Sequence, residues 1–161
     1  MNPHYIIDGY NLIHKIPKFK NAMELSLEHS RNRLISFLKA YQSSKNINIT
    51  LVFDGDNVGY TGATDLSTKR LKIIYSHSPE KADPLIKRLI VKVKNKKSLT
   101  LISADNDLIN FCKSQGAHVL SPEMFFYQAS KHPKQEQMDQ KYNQAISPGE
   151  LDEWMKIFEE R

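Results

Sequence analysis

The chain has 161 residues, and its 23 lysines and arginines outnumber 18 aspartates and glutamates for a formal charge of +5. That length suits one domain with a substantial core, and the single cysteine, Cys112, excludes an intramolecular disulfide and a cysteine-rich zinc site. No apolar run approaches the roughly 18–20 residues that span a bilayer, and no signal-peptide apolar region follows Met-Asn-Pro-His, so a cytoplasmic protein without membrane contact is expected.

Tyr5-Ile6-Ile7 is a short, largely β-branched run closed by Asp8-Gly9, which predicts a buried first strand. A helix is predicted from about Glu24 to Tyr41. Leu27, Leu34, Phe37, Leu38 and Tyr41 share one face of it, with Glu28, Arg31 and Lys39 on the other. Ile47 to Phe53 is the second strand, followed by a loop bearing Gly55, Gly59 and Gly62. Leu71 to Tyr75 is the third. A helix begins near Asp83-Pro84 and carries Leu85, Ile86, Leu89, Ile90 and Val93. Proline is well tolerated at a first helical position, which makes Asp83 the expected N-cap.

Leu99 to Ile102 is the fourth strand, and a helix runs from about Asp105 towards Ser114, closed by Gln115-Gly116. Within it Cys112 reads as a buried, reduced thiol. Ala117 to Leu120 is a short fifth strand. Strands alternating with helices over short connections predict a parallel sheet covered on both faces, a three-layer α/β/α fold. Residues 1–130 are expected to form this domain, and 131–146 a polar linker rich in Gln and Lys. A C-terminal amphipathic helix over 147–161 follows, with Ser147 as cap, Pro148 and Glu150 in its first turn, and a stripe of Leu151, Trp154, Met155 and Phe158. Docking on its own domain is expected, with a partner-binding tail as the alternative.

Six of the nine aspartates lie in four short stretches. These are Ile6-Ile7-Asp8-Gly9-Tyr10-Asn11, Leu51-Val52-Phe53-Asp54-Gly55-Asp56, Lys81-Ala82-Asp83-Pro84 and Leu101-Ile102-Ser103-Ala104-Asp105-Asn106-Asp107. Each acid has a plain structural role available: Asp8 in a turn, Asp83 and Asp105 as helix caps. Yet residues just past the carboxyl ends of parallel strands converge on one crevice, so these acids can meet. Clustered carboxylates repel, a divalent cation relieves the repulsion, and all-oxygen ligands select Mg²⁺ or Mn²⁺. In a basic chain, that suggests a cation held against a polyanion. The six histidines show no ligand spacing.

These residues resemble the NYN family of PIN-like ribonucleases, in particular its YacP-like branch. The similarity runs in order from about His4 to Phe126 through Ile7-Asp8-Gly9-Tyr10-Asn11-Leu12-Ile13, Val52-Phe53-Asp54-Gly55, Ile74-Tyr75-Ser76 with Ala82-Asp83, Ser103-Ala104-Asp105-Asn106-Asp107-Leu108 and Gly116-Ala117-His118-Val119-Leu120-Ser121. The Asp-Gly-Tyr-Asn stretch is its most specific part. The resemblance implies a PIN-like sheet in the order 3-2-1-4-5 and metal-dependent endonucleolytic cleavage of RNA with Mg²⁺ or Mn²⁺. It implies Asp8, Asp83 and Asp105 as the metal-binding core, with Asp107 as a further ligand or water-positioning group. Asn11 would bridge the ion and a scissile phosphate, with Asp54 and Ser103 as accessories. Relatives often carry two adjacent acids where this chain has Asp83-Pro84, which leaves the pattern one acid short.

Single-stranded or loop RNA is the expected substrate, because an unpaired strand can enter a narrow acidic crevice. Messenger, ribosomal and transfer RNA are all open, as is presentation by the ribosome or a processing complex. Lys69, Arg70 and Lys72, with Tyr60 and Tyr75, are candidates to track phosphates and stack bases. Lys87, Arg88, Lys92, Lys94, Lys96 and Lys97 form a second basic stretch, expected partly on the side of a helix remote from the crevice. One alternative is an RNA-binding NYN module without cleavage. Another is a haloacid-dehalogenase-like phosphatase, in which Asp54 would be the nucleophile and Asp56 the general acid. The phosphatase reading leaves Asp8-Gly9-Tyr10-Asn11 unexplained.

Overall fold

The computed structural model describes residues 2–55, 67–77 and 79–131. Tyr60, Asp56, the expected linker and the expected terminal helix lie outside the described residues. The strands are β1 (His4–Asp8), β2 (Asn48–Phe53), β3 (Leu71–Tyr75), β4 (Leu99–Ile102) and β5 (His118–Leu120). The helices are α1 (Gly9–Lys15), α2 (Pro17–Ala22), α3 (Leu27–Gln42), α4 (Ala82–Lys92), α5 (Asn106–Ser114) and α6 (Pro122–Ser130). All strand pairings are parallel and the order is β3-β2-β1-β4-β5, as expected.

Alternation along the strands divides the apolar residues between two layers of helix. Ile7, Ile49, Leu51, Phe53 and Ile102 pack with α1, α2, α3 and α6 around Leu12, Phe19, Leu34, Leu38 and Phe126. Ile6, Val52, Leu99 and Leu101 pack instead with α4 and α5, against Ile86, Ile90, Leu108 and Cys112. Cys112 is a buried free thiol whose Sγ donates to the His118 carbonyl at 3.5 Å.

Three helices are not anticipated by hydrophobic periodicity. α1 and α2 are only 7 and 6 residues long, two turns at most, and Pro17 starts the second. α6 has a readable start, for Ser121 accepts from the Met124 amide at 3.1 Å and Pro122 opens the helix. The predicted start of α3 near Glu24 moves to Leu27, because Ser26 caps it by accepting from the His29 amide at 2.9 Å.

The glycines after the first two strands are required by close approach. A Cβ on Gly9 would stand 2.4 Å from Phe53 Cε1 and 2.9 Å from the Val52 carbonyl. One on Gly55 would fall 1.9 Å from the Ser76 carbonyl. Only a residue without a side chain lets α1 start directly against the strand edge. Because the Phe53 ring is fully buried and cannot yield, Gly9→Ala is expected to cost about 2 kcal/mol. A thermal melt would show this as a Tm lower by about 4–8 °C, and an unchanged Tm would contradict the packing described.

Candidate carboxylate site at the switch point of the sheet

The order reverses between β1 and β4, so the crevice opens where Asp8 ends β1 and Ser103 follows β4. Asp8 is the residue before α1, but its side chain makes no capping hydrogen bond to that helix. Its Oδ2 instead accepts from Ser103 Oγ at 3.3 Å. Burial pushes the Asp8 carboxyl from 3.8 to about 6. Ser103 opposes that shift, the charge of Asp105 adds to it, the nearby backbone N–H of Asn11 opposes it, and the charge of Asp83 adds again. Asp8 therefore feels both of the other core candidates.

A short relay of hydrogen bonds ties the ends of β1 and β4 together. Ser103 Oγ also accepts from the Asp105 amide at 3.0 Å. Asn11 Oδ1 accepts from the Ala104 amide at 2.8 Å. Asp105 caps α5, its Oδ1 accepting from the amides of Asp107 at 2.8 Å and Leu108 at 3.3 Å. Its cap role and its electrostatic pressure on Asp8 coexist.

Asp83 departs from expectation. It is the second residue of α4 rather than the cap, the cap position being Lys81, with no side-chain hydrogen bond. The helix starts one residue early, with Ala82 first and Pro84 still within the first turn, where a missing amide hydrogen costs nothing. Asp83 Oδ1 is buried without a hydrogen-bond partner. Burial raises the Asp83 carboxyl above its ordinary value, and its contact with Asp107 raises it further.

Lys87 enters the same cluster. Its Nζ lies 2.6 Å from Asp107 Oδ2 and 3.9 Å from Asp83 Oδ2. The pairing with Lys87 holds the Asp107 carboxyl below its ordinary value.

A cavity of about 440 Å³ opens beside these groups, with Asp8, Tyr10, Asn11, His14, Asp54 and Asp83 in its wall. Tyr10 and Tyr75 flank Phe53 with centroid distances of 5.0 and 5.5 Å. The Tyr10 hydroxyl accepts from Arg31 Nη1 at 2.9 Å, and Arg31 is only 8 % exposed. Tyr75 is thus packed against a core ring, and burial raises its hydroxyl pKa. In the sequence His14 has no role, Tyr10 has one only as part of the Asp-Gly-Tyr-Asn stretch and Lys87 one only as part of a basic run, while Arg31, expected on the polar face of α3, is buried because it reaches the Tyr10 hydroxyl. The readable signals were spacings: His14 lies three residues after Asn11 on α1, and Lys87 four after Asp83 on α4.

Lys69, Arg70 and Lys72 do not gather at the crevice. Lys69 and Arg70 precede β3, which runs parallel to β2, so they stand at the opposite, amino-terminal edge of the sheet. There they line a cavity of about 700 Å³ with Asn2, Lys39, Gln42 and Ser43. Arg70 is committed to backbone carbonyls, donating to Lys45 at 3.0 Å and Gln42 at 3.3 Å. Lys72 pairs in register with Thr50 near that same edge, and its charge acts on His4. In the second basic stretch, Arg88 pairs with Glu80 at 2.6 Å. Lys96 Nζ donates to the carbonyls of Ile90 at 2.8 Å, Val91 at 2.9 Å and Val93, closing the end of α4.

The donors fit a hard divalent cation in kind, being carboxylate oxygens, one of them buried and unpartnered. They do not fit one in spacing. Among the described residues, no three of His, Cys, Asp and Glu group closely enough to hold a metal ion. No described helix is long and apolar enough to cross a membrane.

Comparison with known proteins places these features. A family model described as the YacP-like NYN domain matches residues 5–159. The protein YacP of Bacillus subtilis (strain 168), described as uncharacterized, is 32% identical over 91 residues, covering 56% of this chain and 52% of that protein. The aligned region therefore spans about half the length of this curated relative. The crystal structure of Rae1 (YacP) from Bacillus subtilis superposes with a TM-score of 0.68 at 23% identity, covering 99% of this chain and 94% of that one. Its W164L mutant gives a TM-score of 0.67 at 23% identity, covering 94% and 89%. These structures share the fold.

Buried Asp8 dictates a pH dependence. Its folded pKa of about 6 exceeds the unfolded 3.8, so between those values the folded state holds a proton that the unfolded chain has lost. In EDTA, stability is expected to fall as pH rises through that window and then level off. Allowing for the partial exposure of the site, the loss is on the order of 2 kcal/mol. Asp8→Asn should flatten this segment of a Tm-against-pH curve and raise Tm at neutral pH. A variant curve parallel to the wild-type one would disprove the assignment.

Proposed function

The chain belongs to the YacP-like NYN domain family, and from that membership we propose that it is an endoribonuclease using Mg²⁺ or Mn²⁺ on single-stranded or loop RNA. The observation that carries the reading is the convergence of Asp8, Asp83 and Asp105 at the switch point, close enough that the latter two raise the Asp8 carboxyl. Such convergence is unfavourable for the folded protein by itself, and a carboxylate cluster that costs stability is a mark of a functional site.

Asp8, Asp83 and Asp105 are the groups that would hold the ion, whose chemistry is neutralisation of charge and a bound water of lowered pKa. Asp8, with a carboxyl near 6 in the absence of an ion, is mostly ionised at neutral pH and so available as an oxygen ligand. Asn11 is braced through its Oδ1 by the Ala104 amide. That bond fixes the amide plane and leaves Nδ2 to donate to a phosphate oxygen. Tyr10, held by Arg31, is fixed in the cavity wall beside Asp8 and Asn11. Asp54 in the cavity wall is an accessory, as is Ser103, which positions both Asp8 and Asp105. The RNA, whether messenger, ribosomal or transfer, would arrive free or presented by the ribosome or another processing complex in the cytoplasm.

One observation favours a second reading, an RNA-binding module without cleavage: no three ligands close on a common point among the described residues. The phosphatase alternative has no such support, because Asp54 follows β2 rather than the central β1.

Incubation with RNA and mapping of new 5′ ends, with and without metal, separates the readings. Cleavage is expected in Mg²⁺ or Mn²⁺ and absent in excess EDTA, and Asp8→Asn and Asp105→Asn should each reduce it by about 10²–10⁴-fold. Cleavage that survives both substitutions or EDTA would sink the nuclease reading. Salt-sensitive RNA affinity with no cleavage under any metal would favour the module.

A further inference from the structure

The wall of the crevice is backed by a buried cation that the chain does not neutralise. Arg31 lies on α3 one turn after Leu27, which lines the cavity together with Tyr10 and His14. Its Nη1 donates to the Tyr10 hydroxyl at 2.9 Å, and the residue is only 8 % exposed. We propose that Arg31 receives a phosphodiester of single-stranded RNA at the α1–α3 side of the crevice, a linkage other than the one facing the carboxylates.

Three observations carry this. The first is the missing counterion. Among the described residues no carboxylate pairs with Arg31, and Glu28, three residues before it on α3, is exposed and forms no ion pair with it. The groups that Arg31 does meet are phenols: the Tyr10 hydroxyl, and Tyr75, whose hydroxyl burial keeps protonated. A buried guanidinium that faces only neutral groups is costly, and an anion from outside the chain relieves that cost.

The second is spare donor capacity. A guanidinium carries more N–H donors than two phenol oxygens can accept, and its planar fork matches the oxygens of a phosphate. None of the Arg31 nitrogens is both buried and unpartnered, so the spare donors reach solvent. The third is position. Tyr10 ties Arg31 to the same wall that holds Asp8 and Asn11. A strand laid along that wall would meet the carboxylates with one linkage and Arg31 with another, the second contact fixing its register.

The inference rests on the reading that RNA enters the crevice, and one binding series separates the two. A single-stranded RNA with a 5′-hydroxyl, labelled through its 3′ ribose so that internal linkages are its only phosphates, would be titrated with the full-length protein. Fluorescence anisotropy over a salt series in EDTA gives the affinity, with thermal melts to confirm folding. Arg31→Met is expected to bind about tenfold more weakly and to lower the slope of log affinity against log salt by about 0.7, the share of one single-strand phosphate contact. Arg31→Lys should keep the wild-type slope, and so should Tyr10→Phe, which removes only the hydroxyl acceptor. Arg31→Gln, uncharged but still a donor, gives the same comparison if Arg31→Met does not fold. A wild-type slope in the uncharged variant, a Tyr10→Phe slope lowered as far as that of Arg31→Met, or wild-type affinity seen only with Mg²⁺ present would each overturn the Arg31 contact and leave the nuclease reading standing. Neither RNA affinity nor cleavage in any buffer would remove both.

Discussion

Burial of a carboxylate at the end of the central strand is the constraint around which this fold is arranged. Asp8 sits where β1 meets α1, and burial outweighs its helpers in setting its pKa near 6. Ser103 and the backbone N–H of Asn11 compensate in part, from the residues that directly follow β4 and β1. Ser103 serves Asp8 and Asp105 together, and Asn11 reaches from α1 to the Ala104 amide. The two strands flanking the switch are thereby joined by side chains beyond the point where the backbone ladder ends. Gly9 belongs to the same arrangement, since the Phe53 ring occupies the space where any other residue would carry its Cβ.

The parts of this fold legible in the sequence are those with a strong, short-range signal. Ile6-Ile7, Ile49 to Phe53 and Leu99 to Ile102 are apolar runs too short for helices, and each became a strand of a sheet whose order the family resemblance implied. α1 and α2 were not legible because helices of two turns have too few positions to show a period. Asp83 was placed at the cap because aspartate before proline is a strong capping pattern. The chain instead starts α4 at Ala82 and leaves Asp83 Oδ1 buried and unpartnered.

Charge was the least legible property, because a sequence records its sign and not its direction. Lys69, Arg70 and Lys72 look like a phosphate track beside a strand, yet residues that precede or begin a parallel strand stand at the edge opposite the crevice. Lys87 looks like one member of a solvated basic run, but its basic neighbours matter less than Asp83 one turn before it. Strand direction sets where the first group stands, and helix spacing sets the partner of Lys87. Both placements follow from the element boundaries alone.

These placements bear on how an RNA strand would be held. The crevice wall contains Asp8, Asp54 and Asp83, while its basic and polar contributors are Lys81, His14, Tyr10 and Asn11. Against a phosphodiester backbone such a wall is unfavourable until its carboxylates are neutralised. Lys87 neutralises on the α4–α5 side only, where Asp107 absorbs most of its charge. Under the nuclease reading, substrate binding and cation binding are therefore the same electrostatic event: the ion that would assist the chemistry also makes the crevice tolerable to the phosphate. An uncharged donor such as Asn11 then suits the remaining contact, since it can orient a phosphate oxygen without competing for the ion.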